Sequence, residues 1–143
     1  VLYGLEAGKY RLALKTPKDQ IINVEYTRDK SKKKAAYKKS KAIHLKSDID
    51  SIYTSTEKAA RWYKVSVSST KKRKAVTLSK DSVGGGFKFC VYQKGKRLKT
   101  VKVTKNDKVK TVKLPKKKGA YYVKVTKLTS KTTGAYYLGT YTY

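Results

Sequence analysis

Apolar and polar residues alternate with a period of two along most of this chain, and that constrains it more than any other feature. Tyr10, Leu12 and Leu14 alternate with Lys9, Arg11, Ala13 and Lys15. Tyr63, Val65 and Val67 alternate with Trp62, Lys64 and Ser66, and Phe87, Phe89 and Val91 with Lys88, Cys90 and Tyr92. Val101 and Val103 repeat the pattern against Thr100, Lys102 and Thr104, as do Tyr121, Val123 and Val125 against Tyr122, Lys124 and Thr126. Successive side chains of a strand point to opposite faces, so each run is a strand with one face on a core and one in water. The residue types agree, because Val, Tyr, Thr and Phe suit a pleated, half-buried surface.

Turn signals separate the runs. Gly84-Gly85-Gly86 precedes the Phe87 strand, and Gln93-Lys94-Gly95-Lys96 after it reads as a hairpin turn. Lys105 to Lys108 is expected to separate the Val101 and Val109 runs in the same way, Pro115 to Gly119 closes the next, and Gly134 opens a last strand, Tyr136 to Tyr143. The connections are too short for helical crossovers, so the expected fold is an all-β, mainly antiparallel sandwich or barrel. Its 143 residues suit one ordinary domain. Two segments depart from the pattern. Arg28 to Lys41 (RDKSKKKAAYKKSK) has no alternation and reads as a basic linker or a solvated, partly helical connector. Asp48 to Ala60 is ambiguous, and Thr54-Ser55-Thr56-Glu57 suits the cap of a short helical turn.

An internal repeat sets the domain organisation. Leu5 to Thr16 resembles Leu114 to Thr126, with Gly8 matching Gly119 and Tyr10 matching Tyr121. Each copy is followed by a second apolar strand ending in Tyr, at Ile21 to Tyr26 and at Tyr136 to Tyr143. Residues 1–27 are therefore expected to be the closing β-hairpin of a preceding similar module, 28–41 a basic linker, and 42–143 one complete module. Unpaired strand edges in 1–27 then pack on their own module or on a neighbouring copy. The chain has no Met and opens Val1-Leu2-Tyr3, which reads as a processed protein or a fragment. No apolar run approaches the roughly 20 residues that span a bilayer.

Residues that do chemistry are scarce. Cys90 stands alone, so no disulfide forms within the chain, and it reads as a small, half-buried strand residue. His44 is the one histidine, and nothing in the sequence brings it to Cys90. No pair of acids suits glycoside hydrolysis, no Cys/His spacing suits zinc, and there is no Gly-x-Ser-x-Gly elbow. Gly84-Gly85-Gly86 lacks the Lys-Ser/Thr and helix of a phosphate loop. An isopeptide crosslink would have only Asn23 and Asn106 to use. The expectation is a protein without catalytic activity or cofactor.

Charge is the strongest chemical feature. Lys and Arg number 37 against nine Asp and Glu, a formal net charge of +28, and only Arg11, Arg28, Arg61, Arg73 and Arg97 of the 37 are arginine. Lysine is a hydrated point charge that attracts polyanions without reading their sequence. Solubility needs far less charge than this, so a polyanionic neighbour is expected. Outward strand positions carry Lys64, Lys88, Lys102, Lys110 and Lys124, interleaved with outward Trp62, Tyr92 and Tyr122. The candidate binding residues are accordingly Trp62, Lys64, Lys88, Tyr92, Lys102, Tyr122 and Lys124, a set of flat rings among cations. Such lysines also keep sheets soluble and edges unpaired.

Several stretches resemble a known family. Arg61-Trp62-Tyr63-Lys64-Val65-Ser66-Val67 is similar to the "WYkftv" strand of bacterial pre-peptidase C-terminal domains, approached in both by an Asp-x-Asp, here Asp48-Ile49-Asp50. Phe87 to Lys96 is similar to their "l.i.lyd.nGk" hairpin. Leu114, Gly119, Tyr121 to Val125 and Gly134 to Leu138 are similar to their "L.aGtYyvkV…G.Y.l" close. The resemblance covers roughly Ile43 to Tyr141. It implies a jelly-roll-like β-sandwich attached to secreted bacterial proteins, often beside proteases. It also implies kinship with collagenase collagen-binding domains, which use a face of tyrosines and can bind calcium. This chain is far more basic, and it lacks the cluster of acids that calcium needs, Asp48 and Asp50 alone making a weak site.

These readings together describe an adhesion module of a secreted or surface protein of a Gram-positive bacterium. It attaches to teichoic acid, acidic glycan or matrix through a Lys/Tyr-rich sheet face. The rival roles are a repeat unit of a fibre or stalk pairing through its N-terminal hairpin, an accessory domain of a secreted protease, and a non-specific nucleic-acid binder.

Overall fold

Strands form at the alternating runs from Tyr63 onward, and others form where no alternation marks them. The computed structural model describes residues 9, 11, 13–15, 18–23, 35–46, 48–53 and 57–143, with backbone alone at 50–53 and 81–84. A 3₁₀ turn at Lys39–Lys41 leads into β1 (Ile43–His44), β2 (Ile49–Tyr53), β3 (Arg61–Val67), β4 (Lys74–Gly84) and β5 (Phe87–Gln93). β6 (Lys96–Val103), β7 (Val109–Lys113), β8 (Gly119–Lys127) and β9 (Thr133–Thr142) follow. They make two facing sheets, ordered β1-β3-β8-β5-β6 and β2-β9-β4-β7. Every pairing is antiparallel except β1 with β3. The fold is the expected all-β sandwich. No helix is long and apolar enough to cross a membrane.

The core lies between the sheets. Tyr63, Val65, Phe87, Phe89, Val91, Tyr121, Val123 and Val125 point inward from the five-stranded sheet onto Val76, Leu78, Tyr136 and Leu138 of the four-stranded one. Each fully buried Val, Leu or Phe contributes about 1.5–3 kcal/mol. The buried tyrosines have partners for their hydroxyls, as burial of a polar group requires. Tyr63 and Tyr136 hydrogen-bond to each other across the sandwich. The Tyr121 hydroxyl donates back to the Lys117 carbonyl at 2.9 Å, stapling the loop before β8 onto the strand. Replacing Tyr121 with Phe leaves that carbonyl without the hydroxyl and is expected to cost about 1–2 kcal/mol. Chemical denaturation of Y121F measures it, and an unchanged midpoint would show that the staple carries no stability.

The turns divide into two kinds. Lys94 and Gly95 both have positive φ, 48° and 78°, the geometry of a tight two-residue hairpin, and join β5 to β6 as expected. The second expected hairpin, Lys105 to Lys108, is instead a corner that hands the chain from one sheet to the other. β6 ends in the five-stranded sheet and β7 begins in the four-stranded one. Asp107 shapes that corner by accepting from the Thr104 N–H at 2.8 Å and the Thr104 hydroxyl at 2.7 Å. Its bond to Lys110, at 2.7 Å, and those to Thr104 hold the carboxyl well below the usual carboxylate range. The last two strands are likewise not a hairpin, since β8 and β9 are central in opposite sheets.

β2 and β4 are the strands without clear alternation. Asp48 to Ala60 holds β2 and, among its described residues, no helical turn. β4 buries Ala75 as well as Val76 and Leu78, so its pattern is not two-sided. Of the expected N-terminal hairpin, residues 9, 11, 13–15 and 18–23 are exposed and in no strand, and the rest lies outside the described residues. Of the expected linker 28–41, residues 35–41 are described. There Ala36 is buried, and its carbonyl accepts from the Trp62 N–H at 2.8 Å.

Candidate binding face

Inward parity on the five-stranded sheet belongs to Tyr63, Val65, Phe89, Tyr121 and Val123, so the alternate residues form its outer face. Register fixes their neighbours. One row across the sheet reads Thr126, Lys88, Lys102, and the next reads Trp62, Lys124, Cys90, Thr100. The third reads His44, Lys64, Tyr122, Tyr92, Arg97. All seven residues singled out from the sequence therefore stand on one face of one sheet. Four of them form a diagonal. Lys102 and Lys88 are directly opposite, Lys124 is one strand and one row on, and Lys64 one strand and one row further. Strand spacing and rise make this track about 20 Å long.

The aromatic residues lie beside the diagonal. Trp62 and Tyr92 have ring centroids 5.7 Å apart, tilted by 44°. The Lys124 ammonium sits 5.6 Å over the Trp62 ring. Lys39, brought in by the 3₁₀ turn, sits 4.7 Å over Tyr122. Cation–aromatic contacts of this kind hold ammonium groups over the sheet at little desolvation cost. Burial, together with Cys90 beside it, pushes the Tyr92 phenol up, so it stays a neutral hydrogen-bonding group at physiological pH. Cys90 itself is 5% exposed under this layer, more buried than expected, with its sulfur 3.4 Å from the Thr100 hydroxyl.

The electrostatics are one-sided. No Asp or Glu occurs on any of the five strands of this sheet. Lys88 and Lys102 are like charges in directly opposed positions, which costs an isolated sheet a fraction of a kcal/mol. An anion laid between them removes that repulsion. His44 is adjacent to Lys64, with its Nε2 3.1 Å from the Ser66 hydroxyl.

Lys110 does not share this face. It lies on β7 with the parity of buried Val112, exposed at the strand's start and paired to Asp107. Lys39 and Arg97 belong to the face although the sequence did not single them out. Arg97 is aligned with Tyr92 by a bulge between Val91 and Tyr92, which no alternation rule registers. A second aromatic cluster was also missed. Tyr137, Tyr141 and Tyr143, each 44–47% exposed, project from the opposite sheet, and Lys113 sits 5.3 Å over the Tyr143 ring. Their odd-numbered spacing is visible in the sequence, but Tyr136 immediately before them reads equally well as either face. Among the described residues no group of three or more His, Cys, Asp or Glu is placed to hold a metal ion.

No family of known proteins matches the chain by sequence profile, and no curated protein matches it. Among solved structures it is similar to the pre-peptidase C-terminal domain of a Bacillus anthracis collagenase, with a TM-score of 0.52 at 16% identity over 70% of this chain and 92% of that one. It also matches a family 35 carbohydrate-binding module from an environmental isolate, with a TM-score of 0.44 at 16% identity over 71% and 82% of the two chains. At this identity the first likeness is one of fold, and at that level the resemblance seen in the sequence holds.

Proposed function

We propose that this chain is a non-catalytic adhesion module of a secreted or surface bacterial protein, holding its parent to an anionic polymer such as teichoic acid or an acidic glycan. The observation that carries the reading is the diagonal of Lys102, Lys88, Lys124 and Lys64 on a sheet whose strands hold no acid. A linear polyanion lies along the diagonal with its charges over the ammonium groups, while sugar or backbone rings rest on Trp62, Tyr92 and Tyr122. Lysine suits this task because it neutralises charge without demanding a fixed bidentate geometry. On this reading the face retains polymer and does not cut it. The likeness in fold to the pre-peptidase C-terminal domain of a collagenase supports attachment to a secreted parent.

Retention on purified Gram-positive cell-wall sacculi tests the reading, before and after removal of teichoic acid, at ~0.15 and ~1 M salt. Binding that needs teichoic acid and disappears at high salt is expected. Failure to bind sacculi at the lower salt overturns it. DNA-cellulose run in parallel identifies a nucleic-acid binder by tight, steeply salt-dependent retention without retention on sacculi.

A further inference from the structure

The outer face of the opposite sheet carries a different chemistry. Register aligns Gly139, Thr77 and Thr111 in one row across β9, β4 and β7, and Asp48, the residue before β2, stands beside Gly139 at the end of that row. The row is low. A Cβ on Gly139 would collide with Asp48 Oδ1, so it is the missing side chain that lets the carboxylate lean over the sheet. The Thr77 and Thr111 hydroxyls hydrogen-bond to each other at 3.0 Å along the floor. The rows on either side are high. One reads Tyr137, Ser79, Val109 and the other Tyr141, Ala75, Lys113, so they are tall on β9 and β7 and dip at β4, with the Tyr143 ring 5.8 Å from that of Tyr141. The result is a shallow trough with a hydroxyl-lined floor about 14 Å long, flanked on β9 by Tyr137 and Tyr141 about 13 Å apart and ending at a carboxylate.

We infer that this trough is a binding site for an uncharged oligosaccharide, separate from the lysine face. Three features select that occupant. The Asp48 carboxylate repels a polyanion and accepts hydrogen bonds from vicinal sugar hydroxyls. The middle of the floor lies on β9 and β4, which are internal strands with both edges paired, so an extended peptide lying over it has no free backbone ladder to join there. The floor side chains are small and polar, and the half-exposed tyrosines offer flat rings with a polar tip, suited to sugar faces. A second copy of the chain is opposed by its own charge of +28. The module would then hold a charged polymer on one sheet and a neutral glycan on the other.

Titration calorimetry of the intact chain at ~0.5 M salt, which screens the lysine face, tests this with uncharged glucose-, mannose- and N-acetylglucosamine-based hexasaccharides. At least one is expected to bind. Y141A, Y137A and D48N are each expected to weaken it about tenfold, the effect of losing one good contact. G139A should match D48N by displacing the carboxylate, Y141F should retain binding by keeping the ring, and K88E on the other sheet should leave it unchanged. Circular dichroism confirms that each variant is folded. Binding by none of the hexasaccharides overturns the inference, as does binding that Y137A, Y141A and D48N leave intact. A dimer that sedimentation detects and Y141A dissolves assigns the face to self-association and overturns it as well. Since the ligands are uncharged and the residues lie on the opposite sheet, failure here leaves the anionic-polymer reading standing.

Discussion

Reversing three charges of the diagonal, in K64E/K88E/K124E, is expected to reduce affinity for purified wall teichoic acid at ~0.15 M salt by at least about 1000-fold. Each ammonium that neutralises a phosphate releases condensed counterions, so each lost contact removes close to one from the slope of log K against log salt. Three reversals therefore lower that slope by about three or more. The control is K116E/K117E/K118E, three exposed lysines in the loop before β8. It makes the same change in net charge from +28, away from the face. Diffuse attraction to a highly charged protein predicts equal losses for the two triples. An aligned track predicts a large loss for the first and a small one for the second. Surface plasmon resonance over a salt series separates the cases, and equal slopes for the two variants would sink the track.

The second large effect falls on stability. Arg61 opens β3 with inward parity and is 6% exposed. It is gripped in a fork by Glu57, with Nε–Oε1 at 2.8 Å and Nη2–Oε2 at 2.6 Å. Burial opposes its charge, but the hydrogen bonds it donates to Glu57 outweigh that and hold the guanidinium above its usual value. Glu57→Ala takes away the carboxylate and leaves the cation in place. Breaking one half of a buried pair costs about 3 kcal/mol. For a domain of this size that lowers the melting temperature by roughly 10 °C. Removing both charges, in E57L/R61M, is expected to recover most of the loss, because two apolar residues need no compensation. Thermal unfolding by circular dichroism checks both, and an unchanged melting temperature for E57A would refute the role given to the pair.

Much of the fold was legible because burial imposes a simple rule on a two-sided strand. β3, β5 and β8 bury Tyr63, Phe89 and Val123 and turn Lys64, Lys88 and Lys124 outward, so their sequence alternates. β4 obeys a different constraint. Ala75 is buried on the outer side as well, beneath a sheet face crowded with tyrosines, and the alternation is lost. Local turn chemistry was readable at Lys94-Gly95, where glycine fills the second of two successive positive-φ positions. It was misleading at Lys105 to Lys108, where the same kind of residues makes a corner between sheets. A turn sequence records how sharply the chain bends and not which edge the next strand will join.

The candidate face divides along the same line. The sequence by itself determined that the chain is an alternating, antiparallel β-protein with outward lysines and rings and an excess of positive charge, because alternation and composition are properties of the chain alone. Only the tertiary structure decided that Lys102, Lys88, Lys124 and Lys64 fall in one diagonal, that Lys110 belongs elsewhere, and that Asp48 and Gly139 meet beneath Tyr137 and Tyr141. Those placements depend on strand order and register. Both are set by pairing between segments distant in the sequence, and the same alternation is compatible with many such pairings.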